Sequence, residues 1–387
     1  MGARSLPIGL GRVAIFAPRM SSPVIHFDCR HFRGHIPCAP NKAHGYECDG
    51  CPVYEVPAKR ILIIKLGALG DVIRTSPLLE RFRKLWPSAR ITWITQSPDV
   101  VPRARPGKPI GADEVLAYDL VGLERVRNGV YDIAINLDKE VEACALLRDV
   151  KSGEKFGFIL KDGHIDAATP KAMHKLVTGL FDGRSKANTK NYLEEIFEVC
   201  HLDFQGEEYQ LDVDAGLARK WTSIRELAAG KPIVGLNTGC GDRWTTRLWP
   251  EERWTSLIRS LQAEGYFPVV LGGRQEDELN TRYAAATGCY YPGYYSLKEF
   301  FAITANTDIV VTQVSMMMHI AIALRKRLVL FNNIFNAHEF HLYGRGVIVQ
   351  PTSGCDCYYG NTCTRQRSCM LDVEVDTVMK EIGALPR

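Results

Sequence analysis

Four short segments hold the residues best suited to chemistry. The first is Lys65-Leu66-Gly67-Ala68-Leu69-Gly70-Asp71-Val72-Ile73-Arg74, directly after the apolar run Ile61–Ile64. In open α/β sheets, ligands gather beyond the C-terminal ends of strands. Glycine allows a tight turn and close approach of a substrate, so Gly67 and Gly70 leave room there. Asp71 is expected at a helix start facing an interdomain cleft, with capping of that helix as its competing use. Lys65, Gly70 and Arg74 are candidate anion contacts, with a solvated surface as the alternative for the two cations. The segment lacks the GxGxxG fingerprint, which argues against a nicotinamide dehydrogenase.

The second segment runs from Asn237 to Pro250 and leaves another apolar run, Ile233–Leu236. Thr238 and Gly239 can present backbone N–H groups to a phosphate, and the Arg247 guanidinium offers the same group a planar fork. The alternative is an exposed basic loop. The third segment, Thr312–Leu324, reads as a strand end, a turn and a helix, with Ser315, Met316 and His319 at the turn. A histidine that packs the turn is the structural alternative for His319. The fourth, Phe331–Gly344, carries Asn332, Asn333 and Glu339, and each of these also suits an ordinary polar loop.

Twelve cysteines complete the inventory. Cys29, Cys38, Cys48 and Cys51 form one group, ending in a CxxC knuckle. Cys355, Cys357, Cys363 and Cys369 form another, opening on CxC. Four-sulfur sets suit zinc or iron, and all-cysteine coordination leaves no open position for catalysis. Structural metal is therefore expected at both groups, with free thiols or disulfides as alternatives, and no catalytic metal is expected.

Positioning these segments requires alternating strands and helices. Ile61–Ile64, Ile91–Ile94 and Tyr131–Leu137 read as buried strands, with a helix from about Asp71 to a basic end at Arg83 and Lys84 and another over Tyr192–Leu202. A break at Ala229-Gly230-Lys231-Pro232 precedes a second series: Ile233–Leu236, Phe267–Leu271, Asp308–Val311 and Leu328–Phe331, then a terminal helix within 370–387. Strands alternating with helices imply parallel sheets. The expected division is a flexible tail over 1–24, a cysteine-rich module over 25–57, a first α/β domain over 58–229 and a second over 230–387.

A chain of 387 residues accommodates two domains and a large core. The net charge of +4 is small and dispersed, so no nucleic-acid partner is expected, whereas an anionic small molecule needs only a local cation. No apolar run reaches the ~18–20 residues of a membrane span. Arg4, Arg12 and Arg19 interrupt the first residues, so no signal peptide is expected, Met20 is an alternative start, and the expected location is the cytoplasm.

The first three segments, in this order and on these element ends, resemble the family 9 glycosyltransferases, the ADP-heptose heptosyltransferase family. The resemblance spans roughly 59–350. It implies a GT-B fold: α/β, with two Rossmann-like domains facing a cleft and the cysteine-rich N-terminal module as an addition. It also implies inverting transfer of heptose from ADP-heptose to a hydroxyl of a glycan, lipid-linked saccharide or protein, with peripheral membrane contact an option. In such enzymes the aspartate matching Asp71 is the general base. The basic residue before Trp-Pro, here Arg247 before Trp249-Pro250, contacts the donor diphosphate. The helix start at Ser315, Met316 and His319 receives its phosphates, and the loop with Asn332 and Glu339 faces the donor. Some protein-modifying members carry a cysteine-bound iron near the C-terminus. Val314 and Met316 depart from the family's usual Asp and Gly, which keeps another nucleotide sugar open. A non-catalytic, metal-stapled sensor on the same fold is the alternative from a different class.

Overall fold

The structure, a computed structural model, describes residues 22–386. The tail read over 1–24 therefore lies, as far as residue 21, outside the described residues. The chain divides into two compact units, Met1–Pro57 and Ala58–Arg387. The described part of the first has a single helix, Ala39–His44, and otherwise turns.

The larger unit holds two sheets. The first is β3-β2-β1-β4-β5-β6, made of β1 (Arg60–Ile64), β2 (Arg90–Thr95), β3 (Glu114–Ala117), β4 (Val130–Asn136), β5 (Lys151–Lys161) and β6 (His164–Ala167). The second is β11-β10-β9-β7-β8, made of β7 (Ile233–Asn237), β8 (Phe267–Leu271), β9 (Ile309–Gln313), β10 (Arg327–Phe331) and β11 (Gly346–Val349). Every pairing among these strands is parallel except β5 with β6.

The β-branched run of β1 is fully buried because both sheet faces are covered. Ile61 and Ile63 pack into one apolar cluster, Leu62 and Ile64 into another, as side chains alternate along a strand. The second half repeats this plan, with Val234, Leu236, Val270 and Val311 packed on the helix Glu251–Ala263. The terminal helix, Val375–Ala384, packs against that same helix.

One expectation needs correction. The single helix read from about Asp71 to a basic end at Arg83 and Lys84 is two, Leu69–Thr75 and Pro77–Leu85. Pro77 has no N–H to continue the first helix, but its fixed φ suits the first position of a new one. The break aims the first turn, with Gly70 and Asp71, independently of the longer helix behind it.

Candidate active site between the two halves

In both sheets the order of strands reverses at a switch point, and ligand crevices open there. In the first half this point lies between β1 and β4, which are followed by Lys65–Asp71 and Asp138. In the second it lies between β7 and β9, which are followed by Thr238–Gly241 and Val314–Met316.

The first-half side is a network of charges. Arg74 pairs with Asp71 at 2.8 Å and with Glu339 of the second half at 2.7 Å. Its guanidinium lies 3.5 Å from the centre of the Tyr192 ring. Tyr359 donates to the other Glu339 oxygen at 2.7 Å. Burial alone would push the Asp71 carboxyl up, but the cations Arg74 and Lys65 outweigh it and hold the carboxyl below its usual range. Burial likewise disfavours the Glu339 carboxylate, and Arg74 more than compensates. Asp71 is thus an ionised carboxylate about a third exposed, with a side-chain exposure of 34%. Lys65 is not a free anion contact. It is buried, pairs with Asp138 and donates to the Gly67 carbonyl.

Gly70 is required by packing. A Cβ there would lie 2.6 Å from His319 Cδ2 and 3.5 Å from the Met316 Cα, because the helix Leu69–Thr75 abuts the start of the helix Met316–Ala323. His319 is buried, and burial with the nearby Arg74 lowers its pKa to about 3, so it is neutral. It packs the junction between the halves, the structural use weighed for it.

The second-half side is a hollow of about 420 Å³, within the range of small-ligand sites. Asn237, Gly239, Ser315 and Met316 line it, together with Gly272, Gly273, Arg274, Glu276, Tyr294 and Tyr295. Asn237 spans the switch point, donating to the Gly239 carbonyl at 2.8 Å and the Thr312 hydroxyl at 3.0 Å. A Cβ on Gly239 would fall 1.9 Å from Glu276 Oε1, so any larger residue there must displace that carboxylate. Met316 joins the two sides, lining the hollow and touching the Gly70 position.

The structure brings Gly239, Ser315 and Met316 to the hollow and Asp71, Arg74 and Glu339 to one network. Other expected contacts do not reach the hollow. Thr238 is buried and bonds Asn280, and Asn332 is buried and bonds the Phe335 carbonyl. Arg247, rather than lying in an exposed basic loop, is buried and turned inward. It donates to the carbonyls of Trp244 (3.1 Å), Cys240 (2.6 Å) and Val314. In this arrangement it clamps the loop that shapes the hollow. Arg274, Glu276, Tyr294 and Tyr295 were missed by sequence reasoning. The available signal was Gly272-Gly273 immediately after β8, the same strand-then-glycine pattern that marked the other segments.

The cysteines expected to bind metal are neither disulfide-bonded nor gathered at ligand spacing. All are free, and among the described residues no group of three or more His, Cys, Asp or Glu is arranged to hold an ion. No helix among those residues is long and apolar enough to cross a membrane.

The sequence profile of glycosyltransferase family 9 (heptosyltransferase) matches residues 123–343, more than half of the chain. The chain belongs to this family. It is 24% identical over 247 residues to lipopolysaccharide heptosyltransferase 1 of Escherichia coli K12, covering 58% of this chain and 72% of that one. The solved family 9 glycosyltransferase of Veillonella parvula DSM 2008 superposes with a TM-score of 0.65 at 19% identity, over 85% of this chain and 97% of that one. The E. coli ADP-heptose lipopolysaccharide heptosyltransferase II superposes at 0.60 with 17% identity, over 84% and 98%. The fold is accordingly GT-B, and the protein is a glycosyltransferase.

Proposed function

We propose that this glycosyltransferase moves a sugar from a nucleotide donor to an acceptor hydroxyl with inversion, and that the donor is ADP-heptose. The observation that carries the reading is Asp71, a carboxylate about a third exposed, on the helix that abuts Met316, itself part of the lining of a hollow built from strand ends and a helix start. The acceptor oxygen attacks the anomeric carbon while the bond from that carbon to the diphosphate oxygen breaks. Asp71 takes the hydroxyl proton, and the nucleoside diphosphate departs with the electron pair. Backbone N–H groups near Gly239 and Ser315–Met316 face the leaving diphosphate and favour its charge without a metal ion. Glu276, beside Gly239, suits the ribose hydroxyls, and Tyr294 and Tyr295 suit the base. The acceptor is a lipid-linked saccharide, a glycan or a protein side chain, reached in the cytoplasm, with peripheral membrane contact where it is lipid-linked.

Val314 favours a second reading, a different nucleotide sugar. It stands where an aspartate is usual in the family and is buried, so it supplies no polar side-chain contact to the donor. Incubation with ADP-heptose and candidate acceptors tests the first reading. Release of ADP, abolished in Asp71→Asn, with inverted anomeric configuration in the product, supports it. Turnover of UDP- or GDP-sugars alone would move it to the second reading, and no turnover with any donor would contradict both.

We further propose that Cys355, Cys357, Cys363 and Cys369 hold a structural zinc or iron ion. The Cys357 N–H donates to the Cys355 sulfur at 3.4 Å, and the Asn333 side chain donates to the Cys369 sulfur at 3.7 Å. Their loop also carries Tyr359, which touches Glu339, and Gly360, whose carbonyl accepts from Thr246 at 3.0 Å. An ion there would fix a loop that touches Glu339 and Thr246 of the second half and, through the Tyr358 hydroxyl, Ser185 of the first. Metal analysis of a variant with all four changed to serine, showing no loss of metal, would contradict this.

A further inference from the structure

The described part of the N-terminal unit, residues 22–57, is poor in buried side chains. None of residues 22–57 is buried, and their only helix has six residues. Val24, Ile25, Phe27, Ile36, Val53 and Val56 are all exposed. A segment this small without a core needs a staple such as a disulfide or a metal. No disulfide is present, since Cys29, Cys38, Cys48 and Cys51 are free.

These four thiols nevertheless border a common space. All are half-buried in a stretch that is mostly exposed, and all line one cavity of about 480 Å³. Local bonds hold each in place. The Cys51 N–H donates to the Cys48 carbonyl at 3.3 Å, closing the CxxC turn through Gly50 at φ +66°. Lys42 N–H donates to the Cys38 carbonyl at 3.0 Å, and Asn41 bonds the Tyr46 carbonyl at 2.8 Å, closing the loop between Cys38 and Cys48. The segment around Cys29 is fastened to the segment after Cys51. Arg30 N–H donates to the Glu55 carbonyl at 2.8 Å, the Tyr54 hydroxyl donates to Asp28 at 2.8 Å, and His26 stacks on Tyr54 at 4.0 Å.

We propose that Cys29, Cys38, Cys48 and Cys51 bind one thiophilic divalent cation, zinc or iron, as a tetrahedral four-thiolate site that folds this unit. Four soft ligands in a loop-rich segment without a core are the chemistry of a structural site. Binding deprotonates the four thiols and releases their protons, so loading weakens as pH falls. Since the thiols share a cavity but are not yet at ligand spacing, loading and ordering of the unit are coupled.

The test uses the full chain, purified under reducing conditions. Metal is quantified in the wild type and in a variant with Cys29, Cys38, Cys48 and Cys51 all changed to serine. The proposal expects loss of one equivalent of metal per chain. Zinc or iron in that equivalent identifies the ion. A second measurement does not depend on how that variant folds: a chain with Cys355, Cys357, Cys363 and Cys369 changed to serine, and the N-terminal four intact, is stripped with chelator and titrated with cobalt(II). Sulfur-to-cobalt charge-transfer bands and tetrahedral ligand-field bands should appear, together with protection of residues 22–57 from protease. Equal metal content in both proteins, no tetrahedral cobalt spectrum at this cluster, or a Cys48–Cys51 disulfide in the reduced preparation would overturn the proposal.

Discussion

The two sides of the cleft are built from opposite materials. The first-half side concentrates charge, with Asp71, Arg74, Lys65 and Asp138 paired among themselves and with Glu339 reaching in from the second half. The second-half side is a hollow whose lining has four glycines and two tyrosines beside Arg274 and Glu276, and the buried Arg247 is spent on carbonyls. The difference separates two tasks. A proton acceptor needs its charge held at a set strength, which paired ions provide. A diphosphate is well served by fixed N–H dipoles, which cost no reorganisation when charge develops on the leaving group.

Breaking the charged side should have the largest effect. Asp71→Asn is expected to lower kcat by about 10²–10⁴, the usual contribution of a general base, while nucleotide affinity stays unchanged. Steady-state kinetics beside calorimetric titration checks both halves of that statement.

Arg74→Gln should follow. It leaves Glu339 without its partner, at a cost of about 3–5 kcal/mol typical of a broken buried pair, read by denaturant unfolding. It also removes a cation that holds the Asp71 pKa down, so that pKa rises and the acid limb of kcat/KM moves to higher pH. In the wild type the depressed carboxyl adds stability above its unfolded pKa and loses it as pH falls through the folded one. The variant should lose that acid-side dependence.

On the hollow side, Gly239→Val forces a side chain onto Glu276. Overpacking of about 1–3 kcal/mol should weaken nucleotide binding by roughly tenfold or more, with the pH profile unmoved. The smallest effect belongs to Tyr359→Phe, which removes one hydrogen bond to Glu339. A loss of about 0.5–1.5 kcal/mol in stability is expected, measurable as a shift in unfolding midpoint.

The same contrast explains what could be read in the sequence. The buried strands β1, β2, β4, β7, β8, β9 and β10 announce themselves because both faces are covered and their runs are continuously apolar. β5 and β6 did not, since only Phe156, Gly157 and Phe158 of Lys151–Lys161 are buried. Asp71 and the glycine turns were legible because strand-end motifs are local in the chain. The inward turn of Arg247 was not, because its acceptors at Cys240 and Val314 come from two separate segments. Glu276 escaped for the same reason: it matters only through its contact with Gly239, far away in sequence.

The central claim is that the hollow takes a nucleotide sugar and that Asp71 then acts on its partner. The most direct measurement is a thermal-shift titration of the purified chain with ADP, ADP-heptose, UDP and GDP, beside Gly239→Val and Asp71→Asn. A ligand that binds only the folded state raises the melting temperature by mass action. The account predicts a shift with ADP and ADP-heptose that needs roughly tenfold or more ligand in Gly239→Val and is kept in Asp71→Asn. No shift with any nucleotide, or an unchanged shift in Gly239→Val, would contradict it.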